Sequence, residues 1–114
     1  MTGSFSVVKS EDGEGTIRLS ISGDVDNDVA PALTDIIANA ADQPGAGPIV
    51  VDLDRVSAMT AAGIRALLEG REAAERCDRP YRIVNVHDET AGYALRVVGL
   101  ADIAERVTAL QRRR

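Results

Sequence analysis

Residues 49–63 read IVVDLDRVSAMTAAG, and this stretch decides the fold. It begins with an apolar run rich in β-branched residues, 49–53, which is typical of a strand covered on both faces. A short link over 54–59 follows, and the helical spacing of apolar residues beyond it predicts a helix over 60–77. A buried strand that leads into an amphipathic helix indicates an α/β domain with a mostly parallel sheet.

The segments upstream extend this pattern towards the N-terminus. Residues 4–10 and 17–22 alternate apolar with polar side chains around an acidic, glycine-rich turn, so they predict a β-hairpin whose second strand ends at Gly23. Residues 28–41 have the apolar spacing of a helix. A loop rich in glycine and proline separates that helix from the strand at 49–53.

The segments downstream continue the alternation of strands and helices. We predict a strand over 81–86, a third helix over 89–98, and a short terminal helix from the spacing of Ile103, Val107 and Leu110. The complete order is an N-terminal hairpin followed by α-β-α-β-α and a last helix. This order predicts a single α/β domain in which helices connect parallel strands.

The length and charge of the chain limit its organisation and its partners. With 114 residues, 45% of them hydrophobic, the chain is expected to form one domain, over residues 4–111, with a basic tail at 112–114. The net charge of −5 and the aromatic content of 3% disfavour nucleic-acid binding. Residues 1–8 lack a signal-peptide pattern and no apolar run is long enough to span a bilayer, so we expect a cytoplasmic protein without membrane insertion.

The residues that usually carry catalysis occur here without partners. His87 and Cys77 are each the only residue of their type, so neither a metal cluster nor a nucleophile–base pair is predicted. The sequence contains no phosphate-binding glycine motif, and we expect no cofactor and no enzymatic activity. One carboxylate pair, at 24/26, follows the second strand and another, at 52/54, closes the third, and acidic residues are common at strand ends, turns and helix starts. We interpret these carboxylates as candidates for a binding surface rather than for chemistry.

Three segments together resemble the STAS family of sulfate-transporter and anti-sigma-factor-antagonist domains. Gly23-Asp24-Val25-Asp26 is similar to the Gly-Glu-Leu-Asp element of the family, and residues 49–63 have the spacing of its strand, link and Asp-Ser-Ser/Thr-Gly loop. Val98-Gly99-Leu100 matches the Gly-Leu that follows the third helix of the family. The resemblance covers nearly the whole chain. It implies a mixed sheet of roughly four or five strands with helices packed against it.

The resemblance also implies a function and shows where this chain departs from it. Family members of this size often bind an anti-sigma factor with a histidine-kinase-like ATP-binding fold, and phosphorylation of the loop Ser or Thr ends that binding. In this chain Thr60 takes the place of the Asp, Ala61 that of the first Ser, and Ala62 that of the phosphoacceptor. We therefore predict a regulator that works without phosphorylation. The nearby hydroxyls, Thr60 and Ser57, are interpreted first as helix-capping and link residues and only second as displaced phosphoacceptors.

The predicted partner-binding surface joins the loop after the second strand, the loop before the second helix, and that helix. Its residues are Asp24, Asp26, Asn27, Thr60, Ala61, Ala62, Gly63, Arg65 and Glu69. Gly63 is expected to let a partner backbone approach closely. The alternative hypothesis is a cytosolic accessory subunit of a transporter or stress-sensing complex, in which the same fold contacts an ATPase.

Overall fold

The computed structural model of the protein describes residues 4–12 and 14–87, together with the backbone of residues 104–106. The elements, in chain order, are β1 (Ser6–Glu11), β2 (Ile17–Val25), α1 (Ala30–Ala41), β3 (Ile49–Met59), α2 (Ala61–Arg76), β4 (Tyr81–Val86) and β5 (Ala104–Arg106). The strands form one five-stranded sheet in the order β1-β2-β3-β4-β5. The predicted α/β domain with a mixed sheet is confirmed.

The sheet is mixed because only its first pair of strands is antiparallel. β1 pairs with β2 in the predicted hairpin, and β2 with β3, β3 with β4 and β4 with β5 are parallel. At the hairpin turn, the Asp12 carboxylate accepts hydrogen bonds from the backbone N–H groups of Glu14 and Thr16, at 2.9 and 3.2 Å. These bonds satisfy turn donors that the strands leave unpaired.

Both helices cover the same face of the sheet. Alternate residues of β2, such as Leu19 and Ile21, form one buried cluster with Leu33 and Ile37 of α1 and Leu67 of α2. The intervening residues of β2 point to the opposite face, since strand side chains alternate. Helices α1 and α2 also pack against each other above the sheet.

Strands β2 and β3 are longer than the sequence pattern predicts. β2 does not end at Gly23 but continues to Val25, and the segment at 54–59 is not a link but the second half of β3. The reason is mutual pairing, because Val25 lies opposite Met59 in the parallel register. Register shifts on either side of Ser22 and Gly23 accompany an irregular burial pattern in β3 after Leu53, whereas the burial of β2 alternates up to Val25.

The helix boundaries are close to those predicted, and the described part of the predicted terminal helix is a strand. α1 begins at Ala30 rather than at residue 28, and α2 spans Ala61–Arg76 rather than 60–77. The predicted third helix, 89–98, lies outside the described residues. The predicted terminal helix is wrong at 104–106, where β5 instead pairs with β4.

At the end of the sheet where strand β3 begins, the side chain of one arginine holds the loop that precedes β3 in place. Arg79 is only 3% exposed. Its guanidinium donates to the backbone oxygens of Ala41 at 3.0 Å, Gly47 at 2.8 Å, Gln43 at 2.7 Å and Pro44 at 3.1 Å. The loop between α1 and β3 therefore takes its shape from a side chain that follows α2.

Candidate functional site

The carboxyl ends of β2 and β3 bring the two predicted loops together. The Thr60 N–H donates to the Val25 carbonyl at 2.9 Å, which joins the start of α2 to the end of β2. The Thr60 hydroxyl lies 3.3 Å from Asn27 Oδ1 and 3.4 Å from the same carbonyl oxygen. The side chains of Asn27 and Thr60, both exposed, thus form the centre of one continuous surface.

Thr60 does not cap α2 in the way expected from the sequence. It occupies the N-cap position with extended backbone, yet its side chain makes no hydrogen bond to the first turn of the helix. The hydroxyl is turned instead towards Asn27 and Val25. Thr60 therefore links two loops rather than satisfying the free N–H groups of the helix.

The two acidic residues predicted to follow β2 both contribute to local structure, one within the sheet and one in the turn before α1. Asp24 is half-buried inside β2, where it pairs with Ala58 of β3. Asp26 is exposed, but its Oδ1 accepts hydrogen bonds from the N–H groups of Asp28 and Val29 at 3.0 and 3.3 Å. Asp26 thus shapes the turn that leads into α1 and remains accessible to a partner.

The three small residues at the start of α2 have different surroundings. Ala61 is exposed and Ala62 is half-buried, whereas Gly63 is buried. A Cβ on Gly63 would lie 2.6 Å from Met59 Cγ and 2.9 Å from Val25 Cγ1. The expectation that Gly63 admits a partner backbone is therefore wrong, because this glycine allows the helix to approach its own β2 and β3.

A groove of about 400 Å³ runs between the first turns of α1 and α2. Its lining comprises Asn27, Ala30, Pro31, Thr34 and Asp35 on one side and Ala62, Arg65, Ala66 and Glu69 on the other. Four predicted site residues are therefore in one place, those at 27, 62, 65 and 69. The Thr34 hydroxyl lies 3.2 Å from Glu69 Oε1 and so connects the two walls.

Sequence reasoning missed the wall that α1 contributes. The sequence pattern assigns Ala30, Pro31, Thr34 and Asp35 only to the helix predicted over 28–41. The signal that was present is the pair of small residues, Ala30 and Ala66, one near the start of each helix and both buried. Small side chains at these positions leave the space that larger ones would fill.

The second predicted carboxylate pair lies on the face of the sheet opposite the helices, away from the groove. Asp52 accepts hydrogen bonds from Asn85 Nδ2 at 3.0 Å, from the Asp54 N–H at 2.9 Å and from Arg18 Nη2 at 2.7 Å. Burial alone would raise the pKa of Asp52, but these hydrogen bonds and the Arg18 charge outweigh it and hold the pKa below its ordinary value of 3.8. Asp54 also lies 3.1 Å from His87 Nε2.

This network predicts a contribution of Asp52 to the acid stability of the fold. A carboxyl group with a lowered folded-state pKa stabilises the protein above its unfolded pKa of about 3.9, and the contribution is lost as the pH falls through the folded value. We expect Asp52→Asn to make the free energy of unfolding decline less steeply below about pH 4. Urea unfolding at several pH values measures this slope. Asp42→Asn, at an exposed position, serves as the control, and an equal effect of both variants would contradict the prediction.

The described part of the chain lacks both a metal-binding cluster and a membrane-spanning helix. No group of three or more His, Cys, Asp and Glu side chains there is arranged to hold a metal ion. No helix there combines the length and apolar character that crossing a bilayer requires.

Solved structures of anti-sigma factor antagonists have the same fold as this chain. An anti-sigma factor antagonist from Mycobacterium paratuberculosis has a TM-score of 0.76 at 20% identity, covering 91% of this chain and 86% of that chain. The unphosphorylated anti-sigma factor antagonist SpoIIAA has a TM-score of 0.75 at 17% identity, covering 94% and 95%. The phosphorylated form of the Bacillus cell fate determinant SpoIIAA has a TM-score of 0.70 at 16% identity, covering 96% and 100%. The fold is therefore that of the anti-sigma factor antagonists.

The family follows from the sequence match. The family described as "Mlab, STAS domain" matches residues 9–109, which is most of the chain. The chain belongs to the STAS family. No curated protein sequence matches it.

Proposed function

We propose that this protein is a non-enzymatic regulator that binds a protein partner through the surface around the start of α2 and is not switched by phosphorylation there. The observation that carries this proposal is the pair of methyl groups at Ala61 and Ala62. Ala61 is exposed, and Ala62 lines the groove between the helices. Neither side chain has a hydroxyl group to which a phosphate can be transferred.

The hydroxyls that remain nearby are poorly suited to replace the missing acceptor. Thr60 is engaged with Asn27 and the Val25 carbonyl, so its modification would disturb the contact between the two loops. Ser57 is exposed in β3, before the loop. A phosphate adds about −1.5 to −2 charges at neutral pH, and without it the charge of this surface stays constant.

The proposed partner is an anti-sigma factor with a histidine-kinase-like ATP-binding fold. This choice is supported by the resemblance of the sequence to anti-sigma-factor antagonists and by the fold shared with them. Binding would use exposed side chains that frame the loop, chiefly Asn27, Thr60, Ala61 and Arg65. Release of the sigma factor would then depend on the amounts of the two proteins rather than on a phosphate.

Affinity capture from the native lysate tests this assignment. We expect wild-type protein to recover the kinase-like partner and Ala61→Arg to bind it at least about tenfold more weakly, because a long side chain would stand in the interface. Ala46→Arg is the matched control, since Ala46 is exposed in the loop before β3 at the other end of the sheet. Equal binding by both variants would place the interface elsewhere.

The same partner tests independence from phosphorylation. After incubation with the partner and ATP, the repurified protein should have an unchanged intact mass and unchanged affinity. Stoichiometric phosphate on Thr60 or Ser57 would overturn this part of the proposal. Recovery of a transporter ATPase or a stress complex, in place of an anti-sigma factor, would instead support the accessory-subunit hypothesis.

A further inference from the structure

The groove between α1 and α2 has a chemical character that specifies part of its partner. We propose that it receives one long basic side chain, arginine or lysine, from the protein that binds this surface. The proposal rests on the proposed function, because it names the group by which that partner is recognised. The proposal adds the wall of the groove formed by α1 to the surface, which so far comprised the loop residues.

The shape of the groove suits an alkyl chain. Its floor consists of the methyl groups of Ala30 and Ala66, which are 5% and 2% exposed. The volume of about 400 Å³ lies near the lower end of the range of about 300–1,000 Å³ seen for ligand pockets. Arginine and lysine bury their methylene stems along such apolar surface while the charged group stays at a polar edge.

The carboxylates of the groove supply the polar edge. Glu69 is held across the groove by the Thr34 hydroxyl, 3.2 Å from its Oε1, and Asp35 follows Thr34 on the wall formed by α1. Neither carboxylate has an ion-pair partner among the residues that the structure describes. Two carboxylates that line the same groove offer acceptors for the forked donors of a guanidinium group.

The remaining charge fixes the direction in which the side chain enters. Arg65 lines the groove one turn before Glu69, nearer the start of α2, and makes no ion pair with it among the described contacts. The N-termini of both helices lie at this same end and carry partial positive charge. A basic group is therefore disfavoured near Ala62 and favoured near Glu69, so the side chain must point from the loop towards the middle of α2.

A titration followed by ¹⁵N NMR tests the proposal with the wild-type chain. The probe is N-acetylarginine methylamide, and its control is the citrulline analogue, which has nearly the same shape without the charge. We expect the arginine compound to shift the amide resonances of Ala30, Thr34, Ala66 and Glu69, and the citrulline compound to bind at least about tenfold more weakly. The double variant Asp35→Asn/Glu69→Gln should lose this preference, whereas Glu72→Gln, at an exposed position later in α2, should keep it.

Equal shifts with both compounds, no binding, or shifts confined to Asp52 and Asp54 would overturn the proposal. Measuring how the variants bind the captured partner distinguishes a failure of this proposal from a failure of the proposed function. If the double variant binds the partner normally while Ala61→Arg does not, the proposed surface is correct, but the groove does not receive a basic side chain of the partner. If neither variant weakens binding, the surface itself is wrong.

Discussion

Replacing Arg79 with alanine is expected to lower the free energy of unfolding by about 3 kcal/mol. The guanidinium is nearly inaccessible and donates to one backbone oxygen at the end of α1 and to three in the loop between α1 and β3. Hydrogen bonds from a charged donor contribute more than neutral ones, and the carbonyls left behind must find water or remain unpaired. Urea unfolding followed by circular dichroism measures the loss.

Two further variants show whether geometry or charge is responsible for the effect of Arg79. Arg79→Lys keeps the charge, but a single ammonium group does not reproduce the fork, so we expect it to recover only part of the lost stability. Arg76→Ala removes an exposed arginine from the end of α2 and should change stability by less than about 1 kcal/mol. A loss in Arg79→Ala no larger than that in Arg76→Ala would refute the structural role.

Gly63→Ala is expected to destabilise the protein by about 2 kcal/mol, although alanine is the better helix former by about 1 kcal/mol. The added methyl group would lie 2.6 Å from Met59 Cγ and 3.2 Å from the Val25 carbonyl oxygen. The Val25 carbonyl cannot withdraw easily because it belongs to a paired strand, and Met59 Cγ can withdraw only if its side chain repacks. Thermal or urea unfolding gives the change, and a stabilised variant would show that the contact is loose.

A double-mutant cycle identifies the cause of the effect at Gly63. In a Met59→Ala background the nearest atom is gone, so the loss caused by Gly63→Ala should shrink. An unchanged loss would instead assign the effect to Val25. The same crowding means that a larger residue at position 63 unfolds the start of α2, so loss of binding in such a variant would not report on the interface.

Local patterns predicted most of the element boundaries. β4 was predicted over its full range, and β1 and both predicted helices at 28–41 and 60–77 were found within two residues of their ends. The last three residues of β2 and the second half of β3 escaped prediction because the two segments pair with each other, and the burial of β3 is irregular there. The segment at 104–106 was predicted as a helix from its apolar spacing. It forms a strand because it pairs with β4, and apolar spacing alone does not reveal this pairing.

The sequence predicted which loops form the candidate site. It did not predict the contacts that different elements make with one another there. Asn27 and Thr60 were expected on one surface, and the structure brings their side chains to 3.3 Å. The pairing of Thr34 with Glu69 joins residues 35 positions apart, which no local motif encodes. The roles of Gly63 and Arg79 were hidden for the same reason, because each depends on what a distant segment places beside it.

The order of strands in the sheet has a consequence for how the chain reaches this structure during synthesis. Each strand lies beside the one that precedes it in sequence, from β1 through to β5. A strand that leaves the ribosome therefore finds its neighbour already made, and no earlier segment has to be displaced to admit it. Such a chain can assemble vectorially, with the loop and groove at the start of α2 completed before the last strand is translated.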